Sequence, residues 1–333
     1  MNANANTDNT YKYDEEIMMD EPSKHSFWGF LFIRLVKEKP LGFIGLIIVV
    51  LLLLTGIFAD LLAPYPMNKI DLLQVLTPPS VNHPLGTDNL GRDVLSNIIY
   101  GARISLIVGI SATFLTTLIS TIIGALSALI GGRFDMIMQR FVDAWQCIPG
   151  MLILLTMMSI MGAGIWQMIV AIAIPQGIGA SRMIRGAVIS IKENAYVDAE
   201  RAIGCTTWRL LTKHIIPNIM PYIIVGFSMG IGGTILMEAG LSFLGFGVPP
   251  GVPSWGSMLS QEGRTYMEIA PALSIWPGLA LTLVVYGTNM FGDAVRDLLD
   301  PKLKGGIGRY GGPKIKAIKE TTFSKIKGLL QKI

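Results

Sequence analysis

Five stretches of this chain contain no Asp, Glu, Lys or Arg: residues 40–59, 104–132, 144–181, 214–237 and 269–292. A helix needs about 20 apolar residues to cross a hydrocarbon core of about 30 Å, and each stretch supplies that length. The 144–181 stretch is nearly twice as long and is interrupted by Gly162 and Gly164, so it reads as two spans joined by a tight turn, six in all. The segments lack the period-two alternation of barrel strands, and a backbone in lipid must satisfy its own hydrogen bonds, which favours helices. The expectation is an all-α membrane protein with spans at about 40–60, 104–131, 146–162, 165–181, 218–240 and 270–291. With 51% hydrophobic and 15% charged residues, the composition excludes an ordinary soluble domain or a disordered chain.

An even number of spans puts both termini on one side. With the termini in the cytoplasm, 23 of the 27 Lys and Arg face inward, leaving Lys69, Arg92, Arg103 and Arg264 outside, as the positive-inside rule requires. The net charge of +4 then follows from topology and calls for no nucleic acid. Cys147 and Cys205 both fall on the reducing side, so no disulfide is expected. The 39 residues before the first apolar segment, and the lack of a small-residue cleavage site after it, suit a retained helix rather than a signal peptide.

Residues 1–26 are polar and Asn-rich and are expected to be disordered in the cytoplasm. From Phe27 to Pro40 aromatics alternate with Arg34, Lys37 and Lys39, which suits either a short helix in the headgroup region or a plain extension of the first span. The outer loop 62–103 gathers Asp88, Arg92 and Asp93 within six positions, either pairing its own charges or docking an external partner. Between spans five and six, the prolines and glycines of 241–259 prescribe an irregular outer loop around Trp255. The tail 304–333 carries Ile315, Ile318, Phe323, Ile326, Leu330 and Ile333 at helical spacing among lysines, the pattern of an amphipathic helix attracted to anionic lipid, with a solvated tail as the alternative.

The cytoplasmic segment 182–217 is too long and too apolar for a simple connection. Ala195, Val197, Ala199, Ala202 and Ile203 fit a helix with small residues, Gly204 stands where a helix stop is expected, and Thr206 or Thr207 caps a second short helix carrying Trp208, Leu210 and Leu211. Such a pair must lie against something else, either the membrane surface or a soluble partner.

Chemical motifs are absent. No Gly-Lys dipeptide occurs, so there is no GxxxxGK[ST] phosphate loop; His25, His83 and His214 show no metal-ligand spacing; and no GxSxG elbow is present. Inside the spans, Glu238 is the sole candidate for a coupling carboxylate, which in lipid persists only for function; the alternative is a hydrogen-bonded residue that holds the outer loop. Gly226 and Gly230 form a GxxxG spacing, suited to packing within the chain, to a dimer interface or to a pathway lining.

The segment NAYVDAERAIGCTTWRLLTKHIIPN, from Asn194 to Asn218, resembles the EAA loop of ABC importer permeases. Asp198, Ala199 and Glu200 stand at its E-A-A positions, Gly204 at its glycine, and His214, Ile215, Ile216 and Pro217 at its closing I-x-L-P. Asp replaces Glu, Glu the second Ala, His the Ile and Ile the Leu, which keeps an acid and the glycine. HPLGTDNLGRDVLSNIIYGARISL from His83, LSFLGFGVPPGVPSWGSML from Leu241 and GDAVRDLLDPKL from Gly292 are similar to the second, C-type permease of dipeptide, oligopeptide and nickel importers. The resemblance covers the permease domain, 27–303.

That resemblance implies the ABC type I importer permease fold in a bacterial or archaeal cell membrane. It also implies a heterodimer with a B-type permease, two cytoplasmic ATPase subunits and an extracytoplasmic solute-binding protein. ATP and Mg would be bound by the ATPases, with no cofactor in this chain. The loop would be the coupling helix seated in an ATPase cleft, with Asp198, Ala199, Glu200, Ala202, Gly204 and Pro217 as its residues and burial supplied for Ala199, Ala202 and Ile203. Peptides are the implied cargo; nickel or another small solute, or an ion-coupled transporter, are the alternatives.

Overall fold

The computed structural model describes residues 27–249 and 251–299, so the N-terminal 1–26 segment and the tail 304–333 lie outside the described residues. Among the described residues the chain is helical, with one isolated bridge between Thr87 and Asp93. The helices are α1 (Phe27–Glu38), α2 (Pro40–Ile57), α3 (Ala59–Leu62), α4 (Val94–Ile130), α5 (Gly132–Gln146), α6 (Gly150–Met161), α7 (Ile165–Lys192), α8 (Ala195–Ala202), α9 (Thr207–Arg209), α10 (Ile216–Phe243), α11 (Trp255–Met258) and α12 (Ala272–Leu299). A π-turn over Leu210–Ile215 joins α9 to α10, and a second follows α11 at Leu259–Gly263.

Pro40 opens α2 after the break at Lys39, where its missing N–H costs nothing. The central element is α4, whose 37 residues extend about 55 Å. It begins at Val94 rather than near 104 because Asp93 caps it: the Oδ2 atom accepts from the Ser96 N–H at 2.8 Å. Arg103 therefore lies within the helix, reaching the Gly56 carbonyl at 2.9 Å and Asp60 at 2.8 Å. α4 packs along α7 and α10, and α2 lies on α12.

The third expected span, 146–162, holds the single helix α6, and the bend falls at its edge: α5 and α6 meet at 84° across Cys147–Pro149, where Pro149 cannot continue the hydrogen-bond ladder of α5. α6 alone, at 12 residues, extends about 18 Å, less than a hydrocarbon core.

The later helices also outrun their charge-free stretches. α7 continues to Lys192 because its charges are paired: Arg185 forks onto Asp135 of α5 at 2.5 and 2.6 Å, Arg182 pairs with Asp143, and the Lys192 ammonium donates to the Ala128 carbonyl at 3.0 Å. The fifth helix starts at Thr207, so the connection expected over 182–217 shrinks to the segment around α8. Its π-turn falls just before Pro217, whose ring has no N–H for the Lys213 carbonyl four residues back. The 241–259 segment is likewise only partly irregular, since α10 runs to Phe243 and Ser254 caps the single turn of α11.

Among the described residues, three helical segments, Pro40–Ile57, Val94–Ile130 and Thr207–Phe243, are long and apolar enough to cross a membrane, or four if the bent α5–α6 pair is one span. Two apolar clusters sit at opposite ends of α4. One joins Ala125, Ala128 and Leu129 to Ile184 and Val188 of α7 and to Val197, Leu210, Leu211 and Ile215; the other joins Val94, Ala102 and Leu106 to Ile235, Trp255 and Leu273. Gly230 of the GxxxG pair meets Thr113 of α4, and Gly226 faces Met183 of α7, so both positions are used inside the chain.

Candidate functional site

α8 and α9 form the turn at one end of the bundle. The last turn of α8 closes with two reversed hydrogen bonds: the Gly204 N–H donates to the Arg201 carbonyl and the Cys205 N–H to the Glu200 carbonyl, both at 3.0 Å. This is a Schellman stop, and Gly204 adopts the left-handed φ of +83° that it demands. Thr206 then caps α9, its hydroxyl accepting from the Arg209 N–H at 3.4 Å. Helix, glycine turn and capped second helix stand as the sequence predicts, except that the second helix continues into α10.

Val197, Leu210, Leu211 and Ile215 bury one side of this unit on α4 and α7. The other side is open. Asp198, Ala199, Ala202 and Gly204 are exposed and Glu200 is half-buried, while Ile203 is 80% and Trp208 71% exposed. An isoleucine and a tryptophan so far in the open on an anchored turn are an apolar face without a cover. Pro217 is exposed in the first turn of α10, beyond the π-turn, and so stands apart from the α8 residues.

The remaining candidates gather at the opposite end of α4. The Asp88 carboxylate is fully buried; it accepts from the Leu90 and Arg92 N–H groups at 2.8 Å and pairs with the Arg92 side chain at 2.6 Å. Asp93, besides capping α4, lies 3.0 Å from Nδ1 of His83, whose ring stacks on Tyr65. Asp88 thus pairs with Arg92 inside the cluster, and Asp93 meets His83 from outside it. Trp255 is buried, its Nε1 donating to the Ile98 carbonyl at 3.1 Å.

Glu238 is fully buried on α10. It accepts from Ser242 at 2.8 Å and from Ser105 of α4 at 3.4 Å, and α11 packs so closely beside it that a Cβ on Gly256 would meet the Ala239 carbonyl. Its contacts are thus those of a residue that ties α4 and α10 together beneath the 241–259 segment.

Two features were not visible in the linear text. The α5–α7 clamp of Asp135, Asp143, Arg182 and Arg185 joins residues about 40–50 positions apart, and only their opposite charges hinted at it. Glu200, Cys205 and His214 come within 4.8 Å of one another at a spacing that matches no metal motif.

The sequence matches the family described as the binding-protein-dependent transport system inner membrane component over residues 120–305, and the N-terminal TM domain of oligopeptide transport permease C over residues 26–79. The oligopeptide transport system permease protein OppC of Bacillus subtilis (strain 168) is 39% identical over 279 residues, 84% of this chain and 91% of that protein. The glutathione transport system permease protein GsiD of Escherichia coli O6:K15:H31 is 37% identical over 282 residues, again 84% of this chain and 91% of its own length. Among solved structures, a chain of the inward-facing MetNI methionine ABC transporter superposes with a TM-score of 0.50 at 18% identity, covering 62% of this chain and 97% of that one; it shares the ABC type I permease fold. By a family match over more than half its length and relatives aligned over most of it, the chain belongs to the inner membrane components of binding-protein-dependent transport systems, the permease subunits of ABC importers.

Proposed function

We propose that this chain is the C-type permease of a peptide importer. The relatives that support the cargo are an oligopeptide and a glutathione permease, both named for peptide substrates. The chain crosses a bacterial cell membrane six times with both termini in the cytoplasm, the α5–α6 pair forming a broken span. It pairs with a B-type permease, receives peptide from an extracytoplasmic binding protein and is driven by two ATPase subunits, which bind ATP and Mg. It carries no phosphate loop and performs no hydrolysis itself.

The observation that carries the coupling role is the open face of the α8–α9 turn. Ile203 and Trp208 are exposed while the other side of the same unit is buried on α4 and α7. A rigid turn anchored to two long helices transmits displacement into them, because packed helices shift as units rather than deform. ATP binding closes the ATPase pair, the turn moves with it, and α4, α7 and α10 repack to open the path outward; hydrolysis resets them.

Proteoliposomes holding both permeases and the ATPases test this reading. Labelled peptide delivered by the binding protein should accumulate only with ATP. Uptake driven by an ion gradient without the ATPases would overturn it, and uptake of nickel but not peptide would overturn the cargo.

A further inference from the structure

Three donor side chains of different chemistry converge at the glycine turn. Glu200 lies on the last turn of α8, and the Schellman reversal brings Cys205 back beside it, its N–H bonded to the Glu200 carbonyl at 3.0 Å. His214 arrives from the π-turn, with Nε2 3.6 Å from Oε1 of Glu200. The carboxylate oxygen, thiol sulfur and imidazole nitrogen all lie within 4.8 Å of one another, and all three residues are half-buried. They span two helical elements and the reversal between them, so they are not neighbours along one helix face.

We propose that Glu200, Cys205 and His214 form a three-ligand Zn²⁺ site that braces α8 against the π-turn. Zinc takes oxygen, nitrogen and sulfur donors at about 2.0–2.3 Å, so donors on one tetrahedral ion stand roughly 3.3–3.8 Å apart. The Glu200–His214 pair already has that spacing at 3.6 Å. The thiol closes the remaining gap by side-chain rotation, giving up only a long contact to the Thr206 carbonyl at 3.7 Å.

The donor set selects the ion. A thiolate with an imidazole suits zinc, whereas magnesium and calcium require oxygen ligands. One carboxylate, one thiolate and a neutral imidazole carry two negative charges, which balance Zn²⁺. Binding forms the Zn–S bond and releases the thiol proton to solvent. Three protein ligands leave a fourth position for water or for a donor from a protein docked on the turn. The site stands on side-chain positions alone and does not depend on the coupling role, so metal binding to the permease without ATPase subunits tests it separately.

The experiment uses the full chain in lipid nanodiscs with Cys147→Ser, which leaves Cys205 as the remaining thiol. Zn²⁺ is titrated calorimetrically, and Co²⁺ serves as a spectroscopic probe. One equivalent of either ion should bind, and the cobalt form should show tetrahedral visible bands with a thiolate-to-cobalt charge-transfer band. Cys205→Ser should abolish the charge-transfer band, and His214→Ala should weaken zinc binding by about 100-fold or more, since even an outer-shell change costs 10–100-fold. Slower amide exchange over residues 198–214 with zinc would report the brace directly. Absence of binding in the Cys147→Ser chain, or an unaltered cobalt spectrum and affinity after Cys205→Ser and His214→Ala together, would overturn the site.

Discussion

The indole of Trp255 rests on the backbone of α4 at Gly101: Nε1 donates to the Ile98 carbonyl at 3.1 Å, and a Cβ on Gly101 would stand 2.9 Å from the ring. A residue from the segment between the last two long helices is thereby keyed into the first turns of α4. The contact requires a residue without a side chain at position 101, because the ring fills the space a Cβ would take.

Gly101→Val is accordingly expected to lower stability by about 1–3 kcal/mol through overpacking, read as a fall in Tm of the purified chain in detergent. The variant should still insert. An unchanged Tm would show that the ring moves aside freely.

Glu238 separates a structural from a coupling carboxylate. Glu238→Gln keeps one acceptor oxygen and turns the other position into an N–H that the second serine hydroxyl can accept, so ATP-driven uptake should stay near the wild-type rate. Glu238→Leu leaves those hydroxyls in the bundle without their partner, at about 1–3 kcal/mol for a buried group so stranded, and should reduce folded yield. Loss of uptake in the Gln variant with normal yield would instead mark Glu238 as a coupling site.

At Gly204 a side chain would find open space, so the cost of substitution is conformational. A left-handed residue with a Cβ costs roughly 1–2 kcal/mol, and a β-branched one resists it further. Gly204→Val should insert and assemble with its partners yet lower peptide-stimulated ATP hydrolysis, while Gly204→Asn, which tolerates that conformation, should lie between the two. Full stimulated hydrolysis in the Val variant would remove the requirement for the turn.

Orientation is open to labelling. Cys205 is half-buried at the α8–α9 turn. With Cys147 replaced by Ser, a membrane-impermeant maleimide should modify Cys205 in inside-out vesicles and not in right-side-out ones. Labelling from the outer face would reverse the topology.

The tail carries its own test. Replacing Lys325, Lys327 and Lys332 with Glu should weaken binding of a 304–333 peptide to anionic vesicles by roughly 100-fold, at about 1 kcal/mol per basic residue near the surface. Unchanged binding would leave the tail as a solvated segment.

Charge-free stretches, Pro40, Gly204 and Thr206 were enough to establish the helical class, the start of α2 and the helix–glycine–helix unit, because each acts through local rules: hydration of charge, the missing proline N–H, the left-handed glycine, the hydroxyl cap. Helix lengths were less legible. Arg103, Arg182 and Arg185 look like ends of apolar runs, yet each lies inside a helix because Asp60, Asp143 and Asp135 meet it there, and those partners lie roughly 40–50 residues away along the chain.

The sequence by itself determined which segments avoid water and where the chain must turn, since burial preference and backbone freedom belong to individual residues. Only the tertiary structure decided that Trp255 keys into α4 and that Asp88 and Asp93 face inward. It alone set the 84° angle between α5 and α6 and brought Glu200, Cys205 and His214 together. Those outcomes depend on distances between side chains far apart in the text, and such distances exist only once the helices have packed.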